Sequence, residues 1–209
     1  MLAYQGPISK RKLLSRIDAH AKADRLDQGT YGAMNGAWRG CAVSCSLVDA
    51  DGKLPDGTLL EDGRHDLYPE LLGIPEQLAY LEDAIFEALP SSQAMEWPRR
   101  FAKAIPDGAD LSLVWPRFAV WLLVDPENGV GPDDEHCQAV AGLYRRVIAG
   151  EDVPDAEFSR AARAAGAAWH AGPARAVEAA RAAGVARAAR AADKLCELLA
   201  EAPVAEVAS

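Results

Sequence analysis

The sequence predicts an all-α protein, with a compact helical domain over residues 1–150 followed by an Ala-rich helical hairpin or arm over residues 151–209. Three observations support this class. Apolar residues recur at intervals of three and four in several segments, which is the period of an amphipathic helix. The alternation of β-branched residues and the tight-turn dipeptides typical of strands are almost absent. Alanine, the residue with the highest helix propensity, dominates the chain after residue 155.

Length and composition indicate an ordinary globular protein. The chain has 209 residues, of which 50% are hydrophobic and 25% charged, and this length can bury one sizeable core. No apolar run reaches the roughly 18 residues of a membrane-spanning helix. The first residues also lack the basic and then apolar order of a secretion signal. We therefore expect a cytoplasmic protein with no membrane partner.

The first helix and the two loops that follow it are marked by caps and glycines. Ser9 is a suitable cap for a helix whose inner stripe is Leu13, Leu14, Ile17 and Ala21. Residues 29–40 contain four glycines and predict a loop. Residues 41–47 are small and apolar and predict a short helix, and residues 49–66, rich in Asp, Gly and Pro, predict a second loop.

The middle of the chain predicts a series of helices. Pro75 suits the first turn of a helix whose apolar face is Leu78, Leu81, Ile85, Phe86 and Leu89. We expect its acidic residues to face water; these are Glu76, Glu82, Asp83 and Glu87. Trp97-Pro98 and Trp115-Pro116 each predict a helix start, and Asp133 is the expected cap of a helix that ends at Gly150.

The Ala-rich segment leaves two interpretations open. Gly172-Pro173 divides it into two predicted helices, and its last large apolar cluster consists of Leu195, Cys196, Leu198 and Leu199. Because alanine buries little apolar area, these helices need close packing against another surface. They form either a hairpin packed on the first domain or an arm that pairs with a second copy. The second interpretation predicts a homo-oligomer through the C-terminal arm.

Charge argues against nucleic acid as the main partner. The net charge is −9, from 22 basic and 31 acidic residues, whereas nucleic-acid binders usually present a basic face. The only dense basic run is Lys10-Arg11-Lys12. A nucleic-acid accessory protein that uses this run together with Arg16 is therefore the third function hypothesis.

One region contains residues with metal-binding chemistry. His20 and Asp24 lie one helical turn apart, as do Cys41 and Cys45 if residues 41–47 are helical, and His65 follows the second loop. Two thiolates and two imidazoles are a common tetrahedral zinc set, so Cys41, Cys45, His20 and His65 are candidate zinc ligands. The alternative is that both cysteines are small apolar packing residues.

The same cysteines suggest a nucleophile. Cys41 is expected to begin a helix directly after Gly40, where the helix dipole lowers the pKa of a thiol. In this hypothesis the catalytic candidates are Cys41 and His65, with Asp66 or Asp24 orienting the imidazole. The order of Gln28, Cys41 and a later histidine is similar to that of papain-like enzymes. Those sites rest partly on a sheet, which this sequence does not predict.

Several segments resemble an uncharacterised group of bacterial helical proteins, some of them encoded in prophage or other mobile DNA. The matching segments are Gln28–Gly32, Trp38–Leu47, Tyr68–Glu76, Leu81–Asp83, Trp97-Pro98 and Asp193–Leu195. Ser44 departs from the glycine that is more frequent between the two cysteines in that group. The resemblance implies a shared helical fold, and it implies no activity and no catalytic residue.

The sequence therefore favours a non-catalytic cytoplasmic protein that acts through helical contacts, with self-association as one form of such contact. The alternative is a protein whose Cys41 and Cys45 form a metal-binding or thiol-dependent site with His20 and His65.

Overall fold

The computed structural model describes residues 2–30, 33–35, 37–60, 63–164 and 185–204, and these are mostly helical. The all-α prediction is therefore confirmed. In the described ranges, no helix has both the length and the apolar character needed to cross a membrane. The helices are α1 Lys10–Lys22, α2 Ala42–Leu47, α3 Leu67–Leu72, α4 Glu76–Ala88, α5 Ser91–Ala94, α6 Trp97–Ala104, α7 Val114–Val124, α8 Glu135–Ile148, α9 Asp155–Ala164 and α10 Val185–Ala200.

The predicted loop over residues 29–40 contains a small β-ladder. Strand β1 is Ala33–Asn35 and strand β2 is Ala37–Arg39, and the two pair antiparallel with Met34 opposite Trp38. The loop prediction is wrong for these residues. Strands of three residues are too short to show the alternating pattern by which a strand is recognised in a sequence.

Two predicted helix caps are tested by hydrogen bonds. The Ser9 hydroxyl accepts a hydrogen bond from the Lys12 backbone N–H at 3.4 Å, as predicted. The cap of α8 is Asp134 and not Asp133: Asp134 Oδ1 accepts from the N–H groups of His136 and Cys137. Two consecutive aspartates suit the same role, so the sequence cannot distinguish them.

The last described helix belongs to the main core. Helix α10 packs against α4, α6 and α7, and its buried residues include Ala188, Ala191, Ala192, Leu195 and Leu199. Residues 185–200 therefore pack on the first domain. Gly172 and Pro173, the predicted break between two helices, lie outside the described residues.

Helices α7 and α8 form a second, smaller apolar cluster beside the main core. It consists of Leu123, Val124, Cys137 and Ala141. Helix α9 follows and packs on α8, where the ring centroids of Phe158 and Tyr144 lie 4.9 Å apart. In α9, no residue whose burial is described is fully buried.

Candidate functional site

His20, the first candidate ligand, is buried on the inner side of α1. Its Nε2 atom lies 3.3 Å from the Val48 carbonyl oxygen, and the centroid of its ring lies 5.3 Å from that of the Trp38 ring. Burial lowers the pKa of His20, so the neutral imidazole is favoured. Its surroundings are those of a packed core residue.

Cys41 and Cys45 are fully buried where α2 begins. Cys45 Sγ lies 3.5 Å from the Gly40 carbonyl oxygen, and Cys41 Sγ lies 3.6 Å from Ser44 Oγ. Burial raises the pKa of Cys41 to about 12 and raises that of Cys45 well above its ordinary value. The prediction that the helix N-terminus lowers the pKa of Cys41 is therefore wrong, because loss of hydration outweighs the dipole of a helix of only six residues.

His65 lies just before α3 and faces an aspartate that the sequence did not suggest. Its Nε2 atom is 3.5 Å from Oδ2 of Asp83, and its ring stacks on Tyr80 with centroids 4.3 Å apart. The two predicted orienting residues point elsewhere: Asp66 pairs with Arg64 at 2.8 Å, and Asp24 pairs with Arg39 at 3.2 Å. Both of those assignments are wrong.

Asp83 also faces the thiol of Cys41. After burial, the negative charge of this carboxylate is the next largest cause of the raised pKa of Cys41. Asp83 therefore interacts with both the Cys41 thiol and the His65 imidazole. A cysteine nucleophile instead needs the imidazole next to the sulfur, so that it can accept the thiol proton.

Gln28, the residue in the position of the papain-like glutamine, has a structural role. Its side-chain amide donates hydrogen bonds to the carbonyl oxygens of Phe86 at 2.7 Å and Leu89 at 3.0 Å. These carbonyls lie at the C-terminal end of α4, where backbone acceptors lack partners within the helix. Gln28 therefore caps α4.

The geometry gives no support to the zinc prediction. Within the part of the chain that is described, no three His, Cys, Asp or Glu side chains are grouped as the ligands of a metal ion would be. His20 contacts Val48 and Trp38, whereas His65 contacts Asp83 and Tyr80. The two histidines thus lie in different packing environments.

Two buried carboxyl groups are the main feature that the sequence reasoning missed. Glu82 is 1% and Asp83 5% exposed, so the prediction that they face water is wrong. Tyr68 Oη donates to Glu82 Oε2 at 2.6 Å, and burial raises the pKa of Glu82 to about 8. The sequence did contain a signal for Glu82, because it lies four residues after Leu78 and four before Phe86, on the apolar face of α4.

The surface presents a different kind of site on two neighbouring helices. Helix α1 carries five basic residues and one acidic residue, and α6 carries three basic residues and no acidic one. The two helices pack against each other. We call the exposed side of this pair the α1–α6 face. In a chain of net charge −9, the two helices together contain eight basic residues and one acidic residue, and the acidic Glu96 and Asp107 lie beside them.

Of the four basic residues predicted to contact nucleic acid, two instead donate hydrogen bonds that connect α1 to other helices. Lys10 Nζ donates to the carbonyl oxygens of Lys103 and Ile105, at the end of α6. Arg16 donates to the Leu47 carbonyl oxygen at 2.6 Å, at the end of α2. Arg11 and Lys12 are exposed.

Comparison with protein-family models, curated proteins and solved structures found no match to this chain. The resemblance to the bacterial helical group therefore stays a prediction, and any functional inference depends on the geometry described above.

Proposed function

We propose that this protein acts without catalysis, by binding a partner through the α1–α6 face. The observation that carries the proposal is the charge of the two helices that form this face: together they contain eight basic residues and one acidic residue, in a protein with nine more acidic than basic residues. Opposite charges spread evenly over a surface keep a protein soluble, whereas a concentration of one sign attracts a complementary partner.

The position of the charge on α1 supports a binding role. The first turn of α1 contains Lys10, Arg11 and Lys12 and no acidic residue. The N-terminus of a helix carries partial positive charge, so cations there oppose the helix dipole. Lys10 is held by carbonyl groups of α6, but Arg11 and Lys12 form no ion pair within the described residues. Basic residues at this end destabilise the isolated helix. An anionic group bound there would offset their unfavourable interaction with the helix dipole.

The thiol-dependent alternative has weaker support. Cys41 and Cys45 are fully buried, burial raises the pKa of both thiols, and His65 faces the carboxylate of Asp83. Neither of these two sulfur atoms is therefore accessible to a substrate. The α1–α6 face, in contrast, is open to solvent, and its two helices carry an excess of positive charge.

Self-association through the C-terminal arm is a second candidate, favoured by α9. This helix packs chiefly on α8, through contacts such as that between Phe158 and Tyr144, and buries little of its own surface. Light scattering at micromolar concentration tests it. A mass of two or more chains that falls to one chain after Phe158→Glu supports self-association through this arm, and a mass of one chain for the unaltered protein contradicts it.

Retention on immobilised heparin, a sulfated polyanion, tests the α1–α6 face. We expect the protein to be retained at low salt despite its net negative charge, and the double variant Arg11→Glu/Lys12→Glu to elute in the flow-through. Arg117→Glu/Arg145→Glu is the matched control, because both are exposed cations outside α1 and α6 and their reversal lowers the net charge by the same amount. Equal loss of retention in the control would show that net charge alone determines binding to heparin. Absence of retention of the unaltered protein would refute the proposed surface.

A further inference from the structure

We infer that α9 is a lid over the aromatic side chains of α8, which Arg146 holds closed and which opens while the rest of the protein stays folded. This lid uses none of the residues of the α1–α6 face. Three features of the described residues carry the inference: the small share that α9 has in the core, the ion pairs that hold it, and the connection that joins it to α8.

Helix α9 contributes little to the interior. None of its described residues belongs to either apolar cluster, whereas α1, α4, α6, α7 and α10 all supply residues to the main core. Phe158 is the only large apolar residue in the sequence of α9, and its other apolar residues are alanines. Because alanine buries little apolar area, the apolar attachment of this helix depends mainly on one ring. Elements with few apolar contacts are those that open locally at the lowest free energy.

The ring of Phe158 contacts a residue that belongs to the body of the protein. Its centroid lies 4.9 Å from that of Tyr144 on α8, and the Tyr144 ring in turn meets Trp115 of α7 edge-on, with centroids 6.0 Å apart. Phe158 and Tyr144 are both half-buried. Movement of α9 would therefore carry Phe158 away, leave Tyr144 and Trp115 in place, and expose more of the Tyr144 ring to water.

One arginine supplies the polar attachment of α9. Arg146 of α8 donates from Nε to Glu151 Oε2 at 2.8 Å and from Nη1 to Glu157 Oε2 at 2.5 Å. Glu151 lies in the connection between the two helices and Glu157 in the first turn of α9. The three side chains are 39%, 54% and 27% exposed, and ion pairs as open as these are weak and are screened by salt. Water and ions therefore compete for the contacts that keep the lid closed.

The connection between α8 and α9 lets the lid move without loss of backbone hydrogen bonds. Gly150 ends α8 with a φ angle of +88°, and its N–H donates to the Val147 carbonyl oxygen. At the start of α9, the Pro154 carbonyl oxygen accepts from the N–H of Glu157. Both sets of bonds are local to one helix end. Rotation of α9 as a unit about residues 151–154 would keep them, so opening breaks only side-chain contacts among those described here.

Hydrogen–deuterium exchange of the full chain, measured peptide by peptide, tests the lid. We expect the amides of α9 to exchange faster than those of α7 and α10, yet more slowly than those of an unstructured peptide. Arg146→Ala should speed exchange in α9 about fivefold and leave α7 and α10 unchanged. Raising the salt concentration from about 0.05 to about 0.5 M should also speed exchange in α9 of the unaltered protein, and should have little effect on Arg146→Ala.

Arg145→Ala is the matched control. Arg145 is the neighbouring, exposed arginine of α8, and its described hydrogen bond is to Gln138 of the same helix at 3.5 Å, so its loss should leave α9 unchanged. Glu157→Gln is a second test of the same contact. Combined with Arg146→Ala it should speed exchange little beyond the single change, because both remove one interaction. Circular dichroism and thermal melting show whether each variant is folded.

Three outcomes would overturn the inference. If α9 exchanged no faster than α7 and α10, it would open only when the whole protein unfolds. If α9 of the unaltered protein exchanged as fast as an unstructured peptide, there would be no closed state to control. If Arg146→Ala and Arg145→Ala had equal effects, the ion pairs of Arg146 would not be what holds the lid.

Discussion

The Nε2 atom of His65 lies 3.5 Å from Oδ2 of Asp83, and the two side chains are only 8% and 7% exposed. The same aspartate faces the thiol of Cys41. A loop residue, the N-terminus of α2 and the middle of α4 are therefore joined through one carboxylate. This junction explains why residues predicted to perform chemistry are instead found in the interior.

We expect Asp83→Ala to lower the free energy of unfolding by about 2 to 3 kcal/mol, because a buried acceptor facing two polar groups is removed. Urea denaturation measures this change. Asp66→Ala is the control: Asp66 belongs to the exposed pair with Arg64, and its loss should cost less than about 1 kcal/mol. If Asp83→Ala were as stable as the unaltered protein, the cost of burying the carboxylate would equal the gain from its contacts.

Glu82 is expected to make stability depend on pH. Burial raises its pKa from 4.5 to about 8, so between these values the folded protein keeps a proton that the unfolded chain has released. Its contribution to stability is fully present below about pH 4.5 and is lost as the pH rises towards 8. The free energy of unfolding should fall over this range, by at most about 1.4 kcal/mol per pH unit from this group.

Glu82→Gln removes that titration. Urea denaturation at several pH values should therefore show a flatter dependence in this variant. Glu70→Gln changes an exposed glutamate of the neighbouring helix α3 and should keep the original slope. A slope that Glu82→Gln leaves unchanged would show that other groups determine the pH dependence.

The four thiols are expected to react at different rates with a disulfide reagent such as dithiobisnitrobenzoate. Burial raises the pKa of all four thiols, but Cys196 is only half-buried and so within reach of the reagent, whereas Cys41, Cys45 and Cys137 are buried. Only the thiolate attacks the reagent, so Cys196 should react first in the native protein and all four should react in urea. The fast phase should disappear in Cys196→Ser. Rapid labelling of Cys41 near neutral pH would instead revive the reactive-thiol hypothesis.

Gly52→Ala is expected to destabilise the protein by about 2 to 4 kcal/mol. A Cβ atom there would lie 2.3 Å from Cδ1 of the buried Trp38 indole, and the φ angle of Gly52 is +77°. Gly57→Ala is the matched control, because Gly57 has a φ angle of +87° but nothing within 4 Å of the added atom. It should cost only the backbone strain, about 1 kcal/mol. Thermal unfolding distinguishes the two variants, and equal costs would show that the contact with Trp38 relaxes.

Features set by neighbouring residues could be predicted from the sequence. The helical class and the Ser9 cap follow from local patterns, and both are confirmed. The Asp133 cap was displaced by one residue, since Asp134 offers the same carboxylate. The short strands β1 and β2 were not predicted, because pairing between the two segments, and not the composition of three residues, makes them strands.

The candidate site was harder to predict, since it depends on contacts between distant segments. Glu82 shares the apolar face of α4 with Leu78 and Phe86, and this could have been read from its spacing. The partners of Asp83, which are Cys41 and His65, are separated from it by 42 and 18 residues respectively in the sequence, and no local pattern indicates them. Asp66 and Asp24 were closer choices in the sequence, but both face solvent.

The sequence by itself determined that this chain is helical, where its first helix begins and that its net charge is negative, because these depend on residue type and on spacing within one or two helical turns. Only the tertiary structure decided which charges lie inside and which meet on one face. It buries Glu82 and Asp83 among apolar side chains, and it brings α1 beside α6, more than 70 residues later in the chain. The reason is that charge and periodicity are local properties, whereas burial and charge concentration arise when distant segments pack together.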